Sequence, residues 1–182
     1  MKKLFLLCLV LVACSSITAF KKVTYVPTSY DYQDEVACLA QNIYFEARDQ
    51  TTKGQIAVAL VTINRVESKR FPNSICKVIH QARRYSNGKI KKHKCQFSWY
   101  CDGLPDTPRD RIAWKVSKTI ARAMLRKPGV HIKHFGKKWD MEDFLNGAKF
   151  YHRVDVHPYW NSKMIKVLQI GDHVFWKDYL NE

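Results

Sequence analysis

Glu46 stands at a position where helical periodicity predicts an apolar side chain. Val36, Leu39 and Ile43 recur at alternating steps of three and four residues, and the next step of that stripe falls on Glu46. Burial of a carboxyl group disfavours its charged form and raises its pKa. A carboxylic acid that keeps its proton at neutral pH can donate it to the leaving oxygen of a glycosidic bond. The pattern thus raises a general acid at Glu46 as a hypothesis, while a surface acid paired with a nearby base is the plainer interpretation of the pattern alone.

Three neighbours bear on that chemistry. Asn42 lies one helical turn before Glu46, and we expect its amide to hydrogen-bond the Glu46 carboxyl group. Arg48 would lower the Glu46 pKa if it lay close, but two positions along a helix should turn it away, towards a partner such as Asp102. Asp102 is also the nearby candidate for a second acid, although we interpret it as a turn residue of the segment CDG.

The elements that must position Glu46 are mainly predicted helices. Asp34 should cap the first, Gly54 should open a second and central one that closes at Phe71–Pro72, and residues 73–81 should form a short third capped by Asn73 or Ser74. Residues 82–106 look like a loop. A fourth helix is expected with Pro108 in its first turn, an end at Pro128–Gly129, and one apolar face formed by Ile112, Val116, Ile120 and Met124.

The last third of the chain changes character. The segments AKFYH and KMIKVLQI read as strands, and Gly171–Asp172 is a two-residue hairpin signal. We therefore expect an α+β fold that is mainly α, a single domain over residues 34–182 with a small antiparallel sheet near its C-terminus.

The N-terminal segment predicts export. Residues 1–14 combine two lysines with an apolar run too short to span a bilayer stably, and LVAC resembles a lipobox in which Cys14 receives the lipid. A cut near Ala19 or an uncleaved anchor are the alternatives. Residues 15–33 would be a tether. The expected location is the periplasm or cell envelope, attached to the membrane by the lipid or by a signal anchor.

Export would make disulfides the default for the remaining four cysteines. They allow three pairings, and Cys95 with Cys101 is the most local, which leaves Cys38 with Cys76. A zinc site is the competing interpretation, but no C-x-x-C pair is present and the HIKH segment has no obvious third ligand. We expect no metal and no cofactor.

The charge is strongly positive, with 31 basic and 16 acidic residues and a formal net charge of +15. Such a field favours an anionic partner. For an exported protein, bacterial wall polymers and membrane surfaces suit better than nucleic acid, which we do not expect. The basic run Lys89–Lys94 is most simply a solvated loop, with wall binding as the alternative.

Three blocks of sequence resemble the spore cortex-lytic cell wall hydrolase family. Residues 38–81 resemble its opening block, with IYFEAR and NRV, CQFSWYCDG resembles the second, and FYHRVDVHPYW with IGDHVFW resembles the third. The resemblance implies a lysozyme-like fold and a peptidoglycan-degrading enzyme of the lytic transglycosylase type. It also implies that Glu46 is the single catalytic acid, which cleaves the bond between N-acetylmuramic acid and N-acetylglucosamine.

The remaining site candidates come from the second and third blocks. Gln96, Ser98 and Trp99 would contact sugar hydroxyl and acetamido groups from a loop held by Cys95 and Cys101, and Tyr151, His152 and Trp160 would line the glycan cleft. Phe97 is expected in the core, and His173 as a structural hydrogen-bonding residue.

Two alternative functions remain open at this point. One is an amidase or peptidase of the wall, and the other is a basic wall-binding lipoprotein without activity.

Overall fold

The structure is a computed structural model that describes residues 32–126 and 143–179, with the backbone of residues 132–134 and 137–139. The predicted signal segment 1–14, Cys14, most of the tether 15–33 and the predicted helix stop at Pro128–Gly129 lie outside these residues. Within the described part of the chain, no helix is long and apolar enough to cross a bilayer.

The described elements are four α-helices, two 3-10 turns and seven short strands. The helices are α1 (Tyr32–Ala47), α2 (Thr52–Glu67), α3 (Ile75–Ile79) and α4 (Arg111–Leu125). The strands are β1 (Ala82–Arg84), β2 (Ile90–Cys95), β3 (Ile132–His134), β4 (Lys137–Trp139), β5 (Phe150–Arg153), β6 (Ile165–Ile170) and β7 (His173–Lys177). The 3-10 turns span Ser98–Cys101 and Asn161–Lys163. The expectation of a mainly helical α+β fold with a C-terminal antiparallel sheet is confirmed.

Helix α2 is the centre of the domain, as its apolar circumference predicts. Every residue from 54 to 66 is buried, and α1, α3 and α4 pack around it. Its first turn is capped by Thr51, whose Oγ1 accepts from the Gly54 N–H at 3.3 Å. The prediction that Gly54 opens this helix is therefore wrong by two residues, because the hydroxyl of Thr51 supplies the cap.

Helix α1 buries the predicted stripe, with Val36, Leu39 and Ile43 at most 3% exposed. It begins at Tyr32, so Asp34 lies inside the first turn and does not cap the helix, although a carboxylate there still suits the positive end of the helix dipole. Tyr32 and the residue after it are therefore helical and not part of a tether.

The starts of α3 and α4 refine two further predictions. Ser74 caps α3, as one of the two expected residues. Asp110 caps α4 by accepting from two backbone N–H groups at 2.9 and 3.0 Å, so Pro108 precedes the helix and is not in its first turn. Ile112 is 79% exposed because it lies at the start of α4, beyond the core that buries Ile120. Of the predicted apolar face, Ile112 is the residue that does not pack against the core.

Residues 82–106 are not the loop that the sequence predicts. They form the antiparallel pair β1–β2 and the 3-10 turn Ser98–Cys101. The disulfide Cys95–Cys101 closes the end of this segment, and Cys38–Cys76 joins α1 to α3. Both expected disulfides are thus confirmed, and Phe97 is buried as predicted.

The C-terminal sheet has the order β5–β7–β6, with the predicted hairpin at Gly171–Asp172 between β6 and β7. Gln50, from the turn after α1, fastens this hairpin to the helices. Its Nε2 donates to the Asp172 carboxylate, and its Oε1 accepts from the Asp172 N–H, both at 3.1 Å. The end of α1 and the sheet are therefore held in fixed relation.

Candidate active site

Glu46 lies in the last turn of α1, half-buried at the junction of the helices and the C-terminal sheet. Its Oε2 accepts a hydrogen bond from the Tyr151 hydroxyl at 2.8 Å. Tyr151 is on β5, on the face of the sheet that carries its pairing partner Phe175. The sheet thus supplies a fixed donor to one oxygen of the carboxyl group. The other oxygen, Oε1, has no hydrogen-bond partner within the described ranges.

Burial raises the pKa of Glu46 above its ordinary value, and this effect outweighs two opposing ones. The hydrogen bond from Tyr151 and the positive charge of Arg65 both lower the pKa. Burial and the neighbouring Glu46 also raise the pKa of Tyr151 well above its usual range, so its hydroxyl keeps its proton and acts as a donor. The site therefore combines a carboxylic acid of raised pKa with a neutral phenol.

Arg65 is the charged residue of this site that the sequence did not single out. It lies on α2, is 3% exposed, and its Nε donates to the Lys149 carbonyl at 2.7 Å. With its amide oxygen turned towards the guanidinium, Gln96 accepts from both terminal nitrogens at 3.2 Å. Burial lowers the Arg65 pKa to about 10, so the residue is still charged at neutral pH.

Three aromatic rings surround the Arg65 guanidinium. Its central carbon lies 5.2–5.9 Å from the ring centroids of Phe71, Phe97 and Phe150. Cations interact favourably with aromatic faces at such distances. An arginine inside a helix that is apolar on most of its circumference is the sequence signal that could have identified Arg65.

Asn42 does not bond to Glu46, contrary to the prediction. It is fully buried, its amide donates to the Thr62 hydroxyl at 3.2 Å, and its carbonyl accepts from the Trp99 indole N–H at 3.1 Å. Trp99 itself is 6% exposed and stacks on Phe45 at 4.9 Å. With its ring packed and its N–H engaged, Trp99 supports the helix that carries Glu46 and is not placed to contact a sugar.

Arg48 turns away from Glu46, as expected, but not towards Asp102. Its guanidinium lies 5.0 Å from the ring centroid of Tyr44, in the last turn of α1. The Asp102 carboxylate accepts from the Leu104 N–H at 2.7 Å, which is the turn geometry favoured for it. The predicted contact between Arg48 and Asp102 is therefore wrong.

The remaining predicted site residues lie in two places, the segment after β2 and the far face of the C-terminal sheet. Gln96 and Ser98 are exposed, and Gln96 contacts the site through Arg65. His152 stacks on Trp176 at 5.7 Å and lies 5.6 Å from Trp160. Since successive residues of a strand point to opposite faces, His152 and its neighbour Trp160 lie on the face opposite to Tyr151. The structure thus separates these two candidates from Glu46.

His173 packs behind Tyr151 and is buried. Its ring meets that of Tyr151 edge to face, with centroids 5.1 Å apart, but its Nδ1 has no hydrogen-bond partner among the described residues. Burial lowers its pKa. The expected structural role is supported by ring packing, and not by the hydrogen bonding that was predicted.

Comparison with known proteins connects this arrangement to one family. The sequence profile described as Cell Wall Hydrolase matches residues 49–176, a span that begins just after Glu46 and includes Arg65 and Tyr151. The spore cortex-lytic enzyme of Halalkalibacterium halodurans is 41% identical over 158 residues, which cover 85% of this chain and 38% of that protein. That of Bacillus subtilis is 44% identical over 48 residues, 26% of this chain and 16% of that protein. The chain thus matches well under half the length of these relatives.

Two solved structures share the fold. The catalytic domain of the Bacillus cereus SleB protein superposes with a TM-score of 0.55 at 26% identity, covering 84% of this chain and 95% of that domain. The catalytic domain of the germination-specific lytic transglycosylase SleB from Bacillus anthracis gives a TM-score of 0.51 at 25% identity, covering 84% of this chain and all of that domain.

Proposed function

This chain belongs to the cell wall hydrolase family, and we propose that it is a lytic transglycosylase that cleaves peptidoglycan between N-acetylmuramic acid and N-acetylglucosamine, with Glu46 as its acid and base. The observation that carries the proposal is the half-buried Glu46 carboxyl group, whose pKa is raised and whose Oε2 is fixed by Tyr151. The similar structure from Bacillus anthracis is that of a lytic transglycosylase, which supports this reaction over simple hydrolysis.

In the first step, protonated Glu46 donates its proton to the oxygen between the two sugars, and the glycosidic bond breaks. The proton would sit on Oε1, because Oε2 already accepts from Tyr151 at 2.8 Å. The carboxylate that remains is stabilised by the Tyr151 hydroxyl and by the charge of Arg65, which both favour the ionised form. The raised pKa keeps Glu46 protonated before the reaction. Tyr151 and Arg65 then stabilise the negative charge on the carboxylate after the proton has left.

In the second step, the Glu46 carboxylate accepts the proton of the muramic acid 6-hydroxyl, whose oxygen bonds to the anomeric carbon and closes an anhydro ring. One carboxyl group suffices for both steps. A retaining glycosidase would place a second carboxylate about 5 Å away, and like charges at that distance raise each other's pKa. Asp102, the candidate for a second acid, instead accepts from the Leu104 N–H within its own turn, which favours the single-acid reaction.

Glu46→Gln tests the proposal because it preserves the shape of the side chain and removes the transferable proton. We expect the variant to lose almost all activity in a turbidity assay on purified sacculi. Asp49→Asn is the matched control, since it removes an exposed carboxylate three residues away and should keep most of the activity. Lysis by Glu46→Gln at the parent rate would refute the proposal. Release of free peptides from intact glycan would identify an amidase instead.

We also propose that residues 1–14 direct export and that Cys14 carries a lipid. Labelled palmitate should then enter the parent protein and not a Cys14→Ala variant, and only the parent should stay in the membrane fraction. Equal labelling of the two proteins, or no labelling of either, would exclude lipidation at Cys14.

A further inference from the structure

The β1–β2 hairpin is the most cationic segment of the described structure. Residues 82–95 contain no Asp or Glu, and they carry six basic residues besides His93, namely Arg83, Arg84, Lys89, Lys91, Lys92 and Lys94. All of the six except Lys91 are exposed. The Lys91 ammonium lies 4.9 Å from the ring centroid of Tyr85, which is itself 56% exposed near the tip of the hairpin.

None of these six basic side chains forms an ion pair within the part of the chain that the structure describes. Arg84 donates to the Gly88 carbonyl, which leaves its charge uncompensated. Like charges so close together repel and oppose the compact arrangement. The hairpin is instead held at its base, by the pairing of Ala82 with Cys95, by the Cys95–Cys101 disulfide, and by the Gln96 N–H, which donates to the Gln81 carbonyl at 2.8 Å.

The base of the hairpin lies beside the candidate active site. Strand β2 ends at Cys95, and the next residue, Gln96, contacts the Arg65 guanidinium, whose charge acts on Glu46. The disulfide at Cys95 fixes the path of the chain at this point. A polymer bound near Glu46 would therefore pass close to the base of this basic hairpin.

We propose that the β1–β2 hairpin binds the anionic groups of the wall polymer and holds that polymer beside Glu46, an inference that rests on the proposed function. The chemistry recognised is a series of anionic oxygens. They are either the carboxylates of the peptides attached to the glycan or the phosphates of polymers linked to the wall. Several basic side chains that point into solvent suit a repeated, loosely ordered anion better than a single small ligand. The exposed Tyr85 ring adds an apolar contact.

The test measures binding to sacculi in a Glu46→Gln background, so that no substrate is consumed. The hairpin variant replaces Arg83, Arg84, Lys92 and Lys94 with Gln. The matched control replaces Arg109, Arg111, Lys115 and Arg122, which are exposed on or next to α4, and so removes the same total charge. We expect the hairpin variant to bind at least about tenfold more weakly than the parent at low salt, with a reduced dependence on salt, while the control loses less than about threefold. Equal losses in both variants would overturn the proposal.

Treated sacculi identify the source of the anions. One sample has its peptides removed by an amidase, and another has its phosphodiester-linked polymers removed by hydrofluoric acid. The difference between parent and hairpin variant should disappear in one of the two samples. If it persists when both groups have been removed, the proposal is wrong.

Activity separates this inference from the proposed function. With Glu46 restored, the hairpin variant should cleave glycan that has lost both its peptides and its phosphate-linked polymers at the parent rate. A parent protein that cleaves no glycan, but whose binding still depends on the hairpin, would refute the proposed function and leave the hairpin inference standing.

Discussion

Replacing Tyr151 with phenylalanine removes a single oxygen from the site. The ring keeps its packing against His173 and Phe175, with centroids 5.1 and 5.7 Å away, so the fold should be retained. The lost contact is the 2.8 Å hydrogen bond to Glu46, which lowers the pKa of that carboxyl group. Without it, burial is opposed only by Arg65, and the pKa of Glu46 must rise further. The acid then stays protonated to higher pH.

The size of the effect follows from the energy of the bond. A hydrogen bond to a charged group contributes about 1.5–3 kcal/mol, and about 1.4 kcal/mol corresponds to a tenfold change in an equilibrium constant. The alkaline limb of the activity profile should therefore move up by roughly one to two pH units. The maximal rate should fall by about tenfold or more, because the carboxylate formed in the first step loses the same bond.

The assay is the rate of sacculus lysis measured from acid to alkaline pH. Tyr100→Phe is the matched control, since that tyrosine packs against His80 and contributes nothing to the Glu46 pKa. Its profile should coincide with that of the parent. A Tyr151→Phe profile whose alkaline limb stays in place, or moves to lower pH, would refute the account of how Glu46 is tuned.

Three further expectations concern stability. Loss of the Cys38–Cys76 disulfide, which spans 38 residues, should lower the free energy of unfolding by about 2–4 kcal/mol in urea titrations; no change would contradict the link it makes between α1 and α3. Asn42→Ala should cost about 1–3 kcal/mol by the same method, because it leaves the buried Trp99 indole N–H without a partner. For Glu46, a raised pKa means that the folded state binds its proton more tightly than the unfolded chain, so its contribution to stability is present at low pH and is lost as pH rises through the raised pKa. The Tm of Glu46→Gln relative to the parent should therefore increase with pH, and a constant difference would contradict burial as the cause.

Periodicity predicted the helices well because burial on one face is a local property of the sequence. The stripe that begins at Val36 placed Glu46 at the edge of the core. The partners of Asn42 could not be predicted in the same way, since Thr62 and Trp99 reach it from other elements. Sequence spacing alone suggests that an amide one turn from a carboxyl group bonds to it. In the structure the Asn42 amide instead bonds to the buried Trp99 indole and the Thr62 hydroxyl.

The hairpin and Arg65 were missed for different reasons. Strands β1 and β2 are rich in Arg and Lys and have few β-branched residues, so their composition resembles that of a loop. The Cys95–Cys101 disulfide fixes the end of β2, a constraint that this composition does not show. Arg65 lies in a helix whose apolar periodicity dominates the pattern. Two of the three rings around its charge, Phe97 and Phe150, and the Lys149 carbonyl come from segments far along the chain.

The sequence placed His152 and Trp160 with Tyr151 because all three fall in one short block. Successive side chains of β5 point to opposite faces of the sheet, so His152 and its neighbour Trp160 lie on the other face from Tyr151. Of the three, only Tyr151 contacts Glu46. Adjacency in sequence is thus a poor guide to a shared site on a strand.

We propose that Glu46 transfers the proton in a reaction that forms an anhydro ring. The most direct test of this reaction is mass spectrometry of the fragments released from purified peptidoglycan by the parent protein and by Glu46→Gln. We expect anhydro-muramyl ends from the parent and no fragments from the variant. Fragments ending in hydrated muramic acid, or anhydro ends released equally by Glu46→Gln, would contradict it.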